Sequence, residues 1–233
     1  MNLESNPRSP SARTKLALIA VAGLVLMSAL PITFWGWDDW RGFFAHPVRV
    51  TLIGLFVLRF GSMLFAAHPD SLGKGRPDKR EREGAFMPLI CLAGLLVVAS
   101  PFFDRRNLWT LPGGDLTRYV GLAAVTAGLA LASWAQAHLG RFFSGYLTLQ
   151  EGHRLVTDGP FARIRHPRYA GAMLVFLGLP MLFRSWIGLG AGLGCIILFL
   201  IRIPREEAML AREFGEEWSR YTQRTARLVP GVY

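Results

Sequence analysis

Residues 153–169 read HRLVTDGPFARIRHPRY and lie between two long apolar blocks. The stretch is short, polar and basic. Gly159-Pro160 sets a turn. Arg163, Arg165, His166 and Arg168 gather cationic and hydrogen-bond-donating side chains within six residues. Pro167 pushes His166 out of the helical region and suits the first turn of a following helix. A helix that starts there offers unpaired N–H groups and a positive dipole end beside Arg165 and His166, which suits an anion. The same residues also fit a basic loop at a membrane surface.

The blocks on either side decide the class. Of 233 residues, 52% are hydrophobic, too many for an ordinary soluble domain, and they fall in runs of membrane-spanning length. About six spans are expected: Leu16–Phe34, Arg49–Ala67, Phe86–Phe103, Tyr119–Leu139, and two shorter pieces, Tyr169–Phe183 and Trp186–Ile203. Arg184-Ser185 alone separates the last two, so they form a helical hairpin with a tight tip. Leu16–Phe34 resembles a signal peptide in position but is long and lacks a small-x-small cleavage site, so it is taken as a helix that stays. Trp35, Trp37 and Trp40 after it suit an interfacial aromatic belt. The expected fold is all-α, a polytopic transmembrane bundle with a polar loop before the last hairpin and a C-terminal helix after it. Residues 1–118 form an N-terminal three-span unit, and residues 119–233 a second unit that holds both polar segments.

The formal charge of +10 would suggest nucleic acid in a soluble protein, but here the cations cluster in loops. That pattern points to a lipid bilayer with anionic lipid and away from nucleic acid. With six spans, the N-terminal tail, residues 68–85, residues 140–168 and the C-terminal segment share one side and carry 19 of the 26 Lys and Arg residues. Six lie on the other side. This bias places both termini and the 153–169 stretch in the cytoplasm. Cys91 and Cys195 both sit in apolar segments, so neither a disulfide framework nor a metal site is expected.

Arg59 is the remaining cation, inside the second span. A charge there is costly and should face a partner or a cavity; it is a candidate for binding a substrate head group. Gly188, Gly190, Gly192 and Gly194 make a small-residue stripe on the last span, suited to close helix packing or to a homodimer face. His138 reads as an interfacial residue.

A second polar cluster, Arg202-Ile203-Pro204-Arg205-Glu206-Glu207, stands where the last span ends. Arg202 and Glu206 are four apart and share a face on a continuous helix, although Pro204 can kink one. A guanidinium at the apolar boundary can grip a carboxylate at two points. A ligand with both an ammonium and a carboxylate would suit the two clusters together, with Glu206 on the amine and His166 and backbone amides on the carboxylate.

The pattern H-x-L-V-x-x-G-P-F-x-x-x-R-H-P-x-Y, from His153 to Tyr169, resembles the signature of isoprenylcysteine carboxyl methyltransferases and related membrane methyltransferases. A second signature, R-x-x-x-E-E followed by F-G-E-E-W-x-x-Y, matches Arg202, Glu206, Glu207, Phe214-Gly215-Glu216-Glu217-Trp218 and Tyr221; Arg227-Leu228-Val229-Pro230 fits the family's C-terminal end. The resemblance covers roughly residues 119–233. It implies S-adenosyl-L-methionine as cofactor, contacted by His153, Arg154, Leu155, Val156, Phe161, His166, Pro167, Arg168, Tyr169 and Glu206. It implies substrate contact at Arg202. Phe161 departs from the pattern, which more often has Tyr there. Tyr146 or Gln150 could supply a further cofactor contact upstream.

Methyl transfer from a sulfonium needs in-line placement and a dry site rather than a metal or a covalent intermediate. The expected activity is methyl transfer to a lipid-like carboxylate, with Arg202, Glu207 and Arg165 as candidate catalytic groups and Arg202 aiming the acceptor. A carboxylate needs no base. An amine would, and Glu207 or water is the candidate. The alternatives are N-methylation of a phospholipid amine, S-methylation of a small thiol, and a transport or sensor protein of the same fold.

Overall fold

A computed structural model describes residues 12–66, 76–77, 86–140, 148–149 and 154–231. Among the described residues eight α-helices follow in order: α1 Ala12–Trp35, α2 Trp40–Phe44, α3 Pro47–Ala66, α4 Phe86–Val98, α5 Ser100–Arg105, α6 Gly114–Leu139, α7 Pro167–Leu182 and α8 Trp186–Thr222. Short 3-10 turns occupy Trp37–Asp39 and Gly159–Ala162. The only sheet among the described residues is a two-residue antiparallel pair, β1 Arg76–Pro77 with β2 Thr148–Leu149, which ties the segment after α3 to the segment after α6. The all-α expectation holds.

Helix bounds depart from expectation where the backbone, not the apolar run, sets the end. After α1 the chain turns by 87° into the segment Trp37–Phe44. Gly36 makes that turn at φ 117, open to glycine and rarely to other residues. The expected third span is divided into α4 and α5 around Ala99, with Pro101 in the first turn of α5. Helix α6 begins at Gly114, five residues before the expected start, because Gly113 in the left-handed region opens it and Asp115 favours its positive end. Helix α8 continues through Pro204 to Thr222 and departs from helical dihedrals at Gly215 (φ 51, ψ −118). Three helical stretches among the described residues are long and apolar enough to cross a membrane: Pro88–Arg105, α6 and α8. The bent pair of α1 and Trp37–Phe44 makes a fourth if it counts as one span, whereas α7 is shorter. Six is thus more than the number that meet both criteria.

Helices α6 and α7 pack most extensively, and paired glycines allow it. A Cβ on Gly128 would stand 2.5 Å from the Gly171 carbonyl oxygen, and one on Gly121 would stand 2.6 Å from that of Gly178. On α8 the expected stripe divides. Gly188 faces Ser100 and Pro180, and Gly192 faces the Phe176 backbone, while Gly190 and Gly194 face open space. A core of Phe43, Val48, Leu52, Val97, Val125, Leu182 and Phe183 fills the end of the bundle near the α7–α8 tip.

That tip is fixed by charge as well as packing. Arg184 takes φ 46, Ser185 caps α8 through Gly188 N (3.0 Å), and Trp186 N donates to Trp109 O (3.0 Å). Buried Asp104 accepts two bonds from Arg118 (2.6 and 2.8 Å), and Arg118 also donates to Leu182 O (3.0 Å). Arg118→Ala would leave Asp104 a buried charge with only Arg184 at 3.4 Å. We expect a loss of about 3–5 kcal/mol, read as a fall in unfolding temperature in detergent, with partial recovery in Arg118→Lys.

Candidate active site

The other end of α7 carries the candidate site residues. Pro167 opens that helix and His166 precedes it at φ −121, ψ 55, as the sequence requires. His166 is buried, and its Nε2 lies 3.2 Å from Oε1 of Glu207 on α8. Arg165 Nε donates to the same oxygen at 2.8 Å, and Arg227 Nε donates to Oε2 at 2.8 Å. Glu207 therefore joins the loop, the last helix and the C-terminal tail. Arg165 also donates to the carbonyls of Thr222 (3.2 Å) and Thr225.

The backbone closes the same junction. Arg165 N donates to Ala226 O (2.8 Å), His166 N to Arg227 O (3.0 Å) and Ala226 N to Arg163 O (3.1 Å). Ile164 and Ala226 pair as a short parallel bridge. Tyr221 OH donates to Phe161 O at 2.8 Å. Phe161 is buried, and the Gly159 turn sits against the His138 ring, so His138 supports the loop.

One residue along, Glu206 faces the bundle. Tyr169 OH donates to its Oε2 at 2.6 Å. The Tyr169 ring lies 5.6 Å from His166 and 5.0 Å from Phe199, centroid to centroid. The charges of Glu206 and Arg202 both act on Arg168. Arg202 is buried on α8, with its guanidinium carbon 4.7 Å from the Phe86 ring centroid of α4. Thus Arg165, His166, Arg168, Tyr169, Arg202, Glu206 and Glu207 come together from the two segments flanking the hairpin. Leu155 and Val156 are half-buried and Arg154 is exposed, in the segment leading to the Gly159 turn. His153, Tyr146 and Gln150 lie outside the described residues. Arg59 is not in contact with Glu207; its side chain donates to Gln136 of α6.

Glu207 lies beyond the apolar run of α8, which ends at Ile203. Burial pushes its carboxyl up, but hydrogen bonds from His166 and Arg165, with the charge they carry, outweigh burial and bring it down to about 2. It is a permanent anion at neutral pH. Sequence reasoning missed Gln136 and Thr225. A lone carboxamide near the end of an apolar helix was the available signal for Gln136, whereas Thr225 acts through its backbone carbonyl and leaves no signal of residue type.

Comparison with known proteins gives the family. The family described as phospholipid methyltransferase matches residues 116–217. A probable protein-S-isoprenylcysteine O-methyltransferase of Oryza sativa subsp. indica is 30% identical over 140 residues, which cover 59% of this chain and 70% of that protein. The protein-S-isoprenylcysteine O-methyltransferase of Schizosaccharomyces pombe is 33% identical over 112 residues, 47% of this chain and 48% of that protein. A Delta(14)-sterol reductase of Methylotuvimicrobium alcaliphilum is 33% identical over 91 residues, 38% of this chain but 21% of that protein. With a signature pair folded into one cluster beside apolar membrane helices, and a relative matched over more than two thirds of its length, the chain belongs to the isoprenylcysteine O-methyltransferase family, an integral-membrane methyltransferase.

Proposed function

We propose that the protein transfers a methyl group from S-adenosyl-L-methionine to the carboxylate of a lipid-like acceptor, at a site on the cytoplasmic side of the membrane. Residues 119–233 form the methyltransferase core in this reading, and residues 1–118 form the lipid-facing part. The observation that carries it is the meeting of Glu206, Tyr169 and Arg168 with Arg202 one helical turn before Glu206 on α8.

The donor set suits an amino-acid zwitterion. Glu206, oriented by Tyr169, supplies an anion for an ammonium. Arg168 and the first-turn amides of α7 supply positive potential for a carboxylate. His166, fixed by Glu207 and by its backbone bond to Arg227, holds the start of that helix in place. The cofactor, when bound, would supply a methyl carbon on a positively charged sulfur, activated for transfer to an acceptor oxygen with the thioether as leaving group. No proton moves when the acceptor is a carboxylate. Arg202 at the apolar boundary aims that carboxylate in bidentate fashion, and orientation alone can supply about 7–11 kcal/mol.

Glu207 and Arg165 act as positioning residues. A carboxyl held at about 2 is too weak a base to take a proton from an ammonium. That favours the carboxylate acceptor over an amine. The amine reading rests on the family description of residues 116–217 as phospholipid methyltransferase.

Calorimetry in detergent tests the cofactor assignment. S-adenosylhomocysteine should bind, and Glu206→Ala should weaken it about tenfold or more, the loss of one charge-assisted bond. Absence of binding to the unaltered protein overturns the assignment. Labelled-methyl transfer to a lipid extract, followed by base treatment, separates base-labile esters from base-stable amines.

A further inference from the structure

We propose that Phe86, the first residue of α4, is a positioning residue that holds the Arg202 guanidinium for the acceptor carboxylate. The N-terminal helices then take part in the geometry of transfer, whereas the mechanism above takes no functional group from residues 1–118. The inference rests on the proposed role of Arg202 and deepens it.

Phe86 is half-buried at the start of α4. The guanidinium carbon of Arg202 lies over its ring, 4.7 Å from the centroid, and Arg202 itself is buried on α8. The negative face of an aromatic ring attracts a guanidinium, most strongly where water is excluded. A ring does this without an oxygen that would compete with a carboxylate for the N–H groups. Arg165 in the same site shows the alternative. It gives its Nε to Glu207 and also donates to the carbonyls of Thr222 and Thr225, so oxygens of the chain fix it as structure. Phe86 steadies Arg202 in a way that suits a substrate-gripping arginine, whose planar fork is what meets a carboxylate at two points.

Helix register sets the contact. Helix α4 packs along α8. Near the α7–α8 tip, Ser100 at the start of α5 faces Gly188. Phe86 and Ser100 are fourteen apart, as are Gly188 and Arg202, so the two stretches run antiparallel and in step, and Phe86 arrives opposite Arg202. Arg202 in turn precedes Glu206 by one turn, and Glu206 is tied to α7 through Tyr169. Holding the guanidinium against α4 therefore fixes the acceptor oxygen relative to the cofactor position proposed at Glu206. Misplacement by about 1 Å can cost about a hundredfold in rate.

Binding of the acceptor without turnover tests the role. The probes are S-farnesylcysteine with a free carboxylate and the same molecule as its carboxamide, each titrated against the full chain in neutral detergent. The unaltered protein should bind the acid about tenfold tighter than the carboxamide. Phe86→Leu, which removes the ring and keeps an apolar side chain, should cut acid affinity about tenfold and leave carboxamide affinity within twofold. Trifluorophenylalanine at position 86 keeps the ring's shape but weakens its negative face, and should cut acid affinity about fivefold. In an Arg202→Gln background, Phe86→Leu should change acid affinity less than twofold, because the two side chains act as one unit. S-adenosylhomocysteine affinity should stay within twofold in Phe86→Leu.

Acid affinity within twofold of wild type in Phe86→Leu overturns the proposal. An equal loss of acid and carboxamide binding also overturns it, since the ring would then pack on the acceptor itself. The same loss with and without Arg202 overturns it as well, as does a fall in S-adenosylhomocysteine affinity. Thermal unfolding monitors each variant; if Phe86→Leu does not fold, the trifluorophenylalanine protein decides by the same measures. Equal binding of acid and carboxamide by the unaltered protein would sink the role of Arg202 and this proposal with it. Failure of S-adenosylhomocysteine binding with the acid preference intact would sink the cofactor reading and leave the Phe86 role standing.

Discussion

Glu207→Ala is expected to remove a large part of the folding stability of the end of the bundle that carries the candidate site. Glu207 is a buried carboxylate that accepts hydrogen bonds from Arg165 and Arg227 at 2.8 Å, with His166 Nε2 at 3.2 Å. Deleting it leaves Arg165 of the loop and Arg227 of the tail packed together without the anion they share. Breaking a buried ion pair in this way costs about 3–5 kcal/mol, a large part of the 5–15 kcal/mol or so that holds a typical domain together. Thermal unfolding in detergent should show a clear fall. Glu207→Gln keeps one acceptor oxygen and should fall less. The sign of the pH response follows from the depressed carboxyl. Its folded value of about 2 lies below its ordinary value of 4.5, so its contribution is complete above the ordinary value and is lost as pH falls from there toward about 2. Acid unfolding in wild type should therefore steepen across that window, and Glu207→Gln should flatten it. Equal stability of Glu207→Ala and wild type at neutral pH would show that the cluster does not hold the junction.

Gly128→Leu should be as damaging at the other level of the bundle. A Cβ there would stand 2.5 Å from the Gly171 carbonyl oxygen and 2.9 Å from Val175 Cγ2. Backbone cannot rotate aside as a side chain can, so α6 and α7 must separate. The cost should reach or exceed the upper end of ordinary overpacking, about 3 kcal/mol. Because α7 carries His166, Arg168 and Tyr169 on its first turn, the displacement should also abolish cofactor binding. Gly190→Leu is the control, since a Cβ at Gly190 meets nothing within 4 Å. Similar unfolding temperatures for the two variants would refute the close approach.

These two positions show what the sequence discloses and what it withholds. Proline and turn chemistry act locally, so the start of α7 at Pro167 and the tight tip at Arg184-Ser185 follow from residue type alone. The partnership of the two polar clusters followed from the motif resemblance, and the coordinates bring Tyr169 to Glu206 and His166 to Glu207. The denser glycine stripe of α8 is the conspicuous one in the sequence, whereas the glycines by which α6 and α7 meet are spread over two helices. Yet Gly121 and Gly128 are seven apart, as are Gly171 and Gly178, and that matched spacing on neighbouring helices was the signal. The bend at Gly36 and the early start of α6 at Gly114 were hidden for a different reason. Both depend on a glycine dihedral, and hydrophobic runs carry no information about dihedrals. The division of labour between adjacent acids was likewise invisible: Glu206 faces Tyr169, whereas Glu207 faces Arg165 and Arg227, and only the helix rotation separates them.

The ladder between residues 163–166 and 226–227 bears on how the protein is made. A ribosome delivers the loop first, then the whole of α7 and α8, and only afterwards the tail that completes the junction. A nascent chain that has not yet released Arg227 holds the loop without its clasp. The junction therefore closes only once Ala226 and Arg227 have followed both helices of the hairpin, and a chain that stops before them leaves residues 163–166 without these backbone partners.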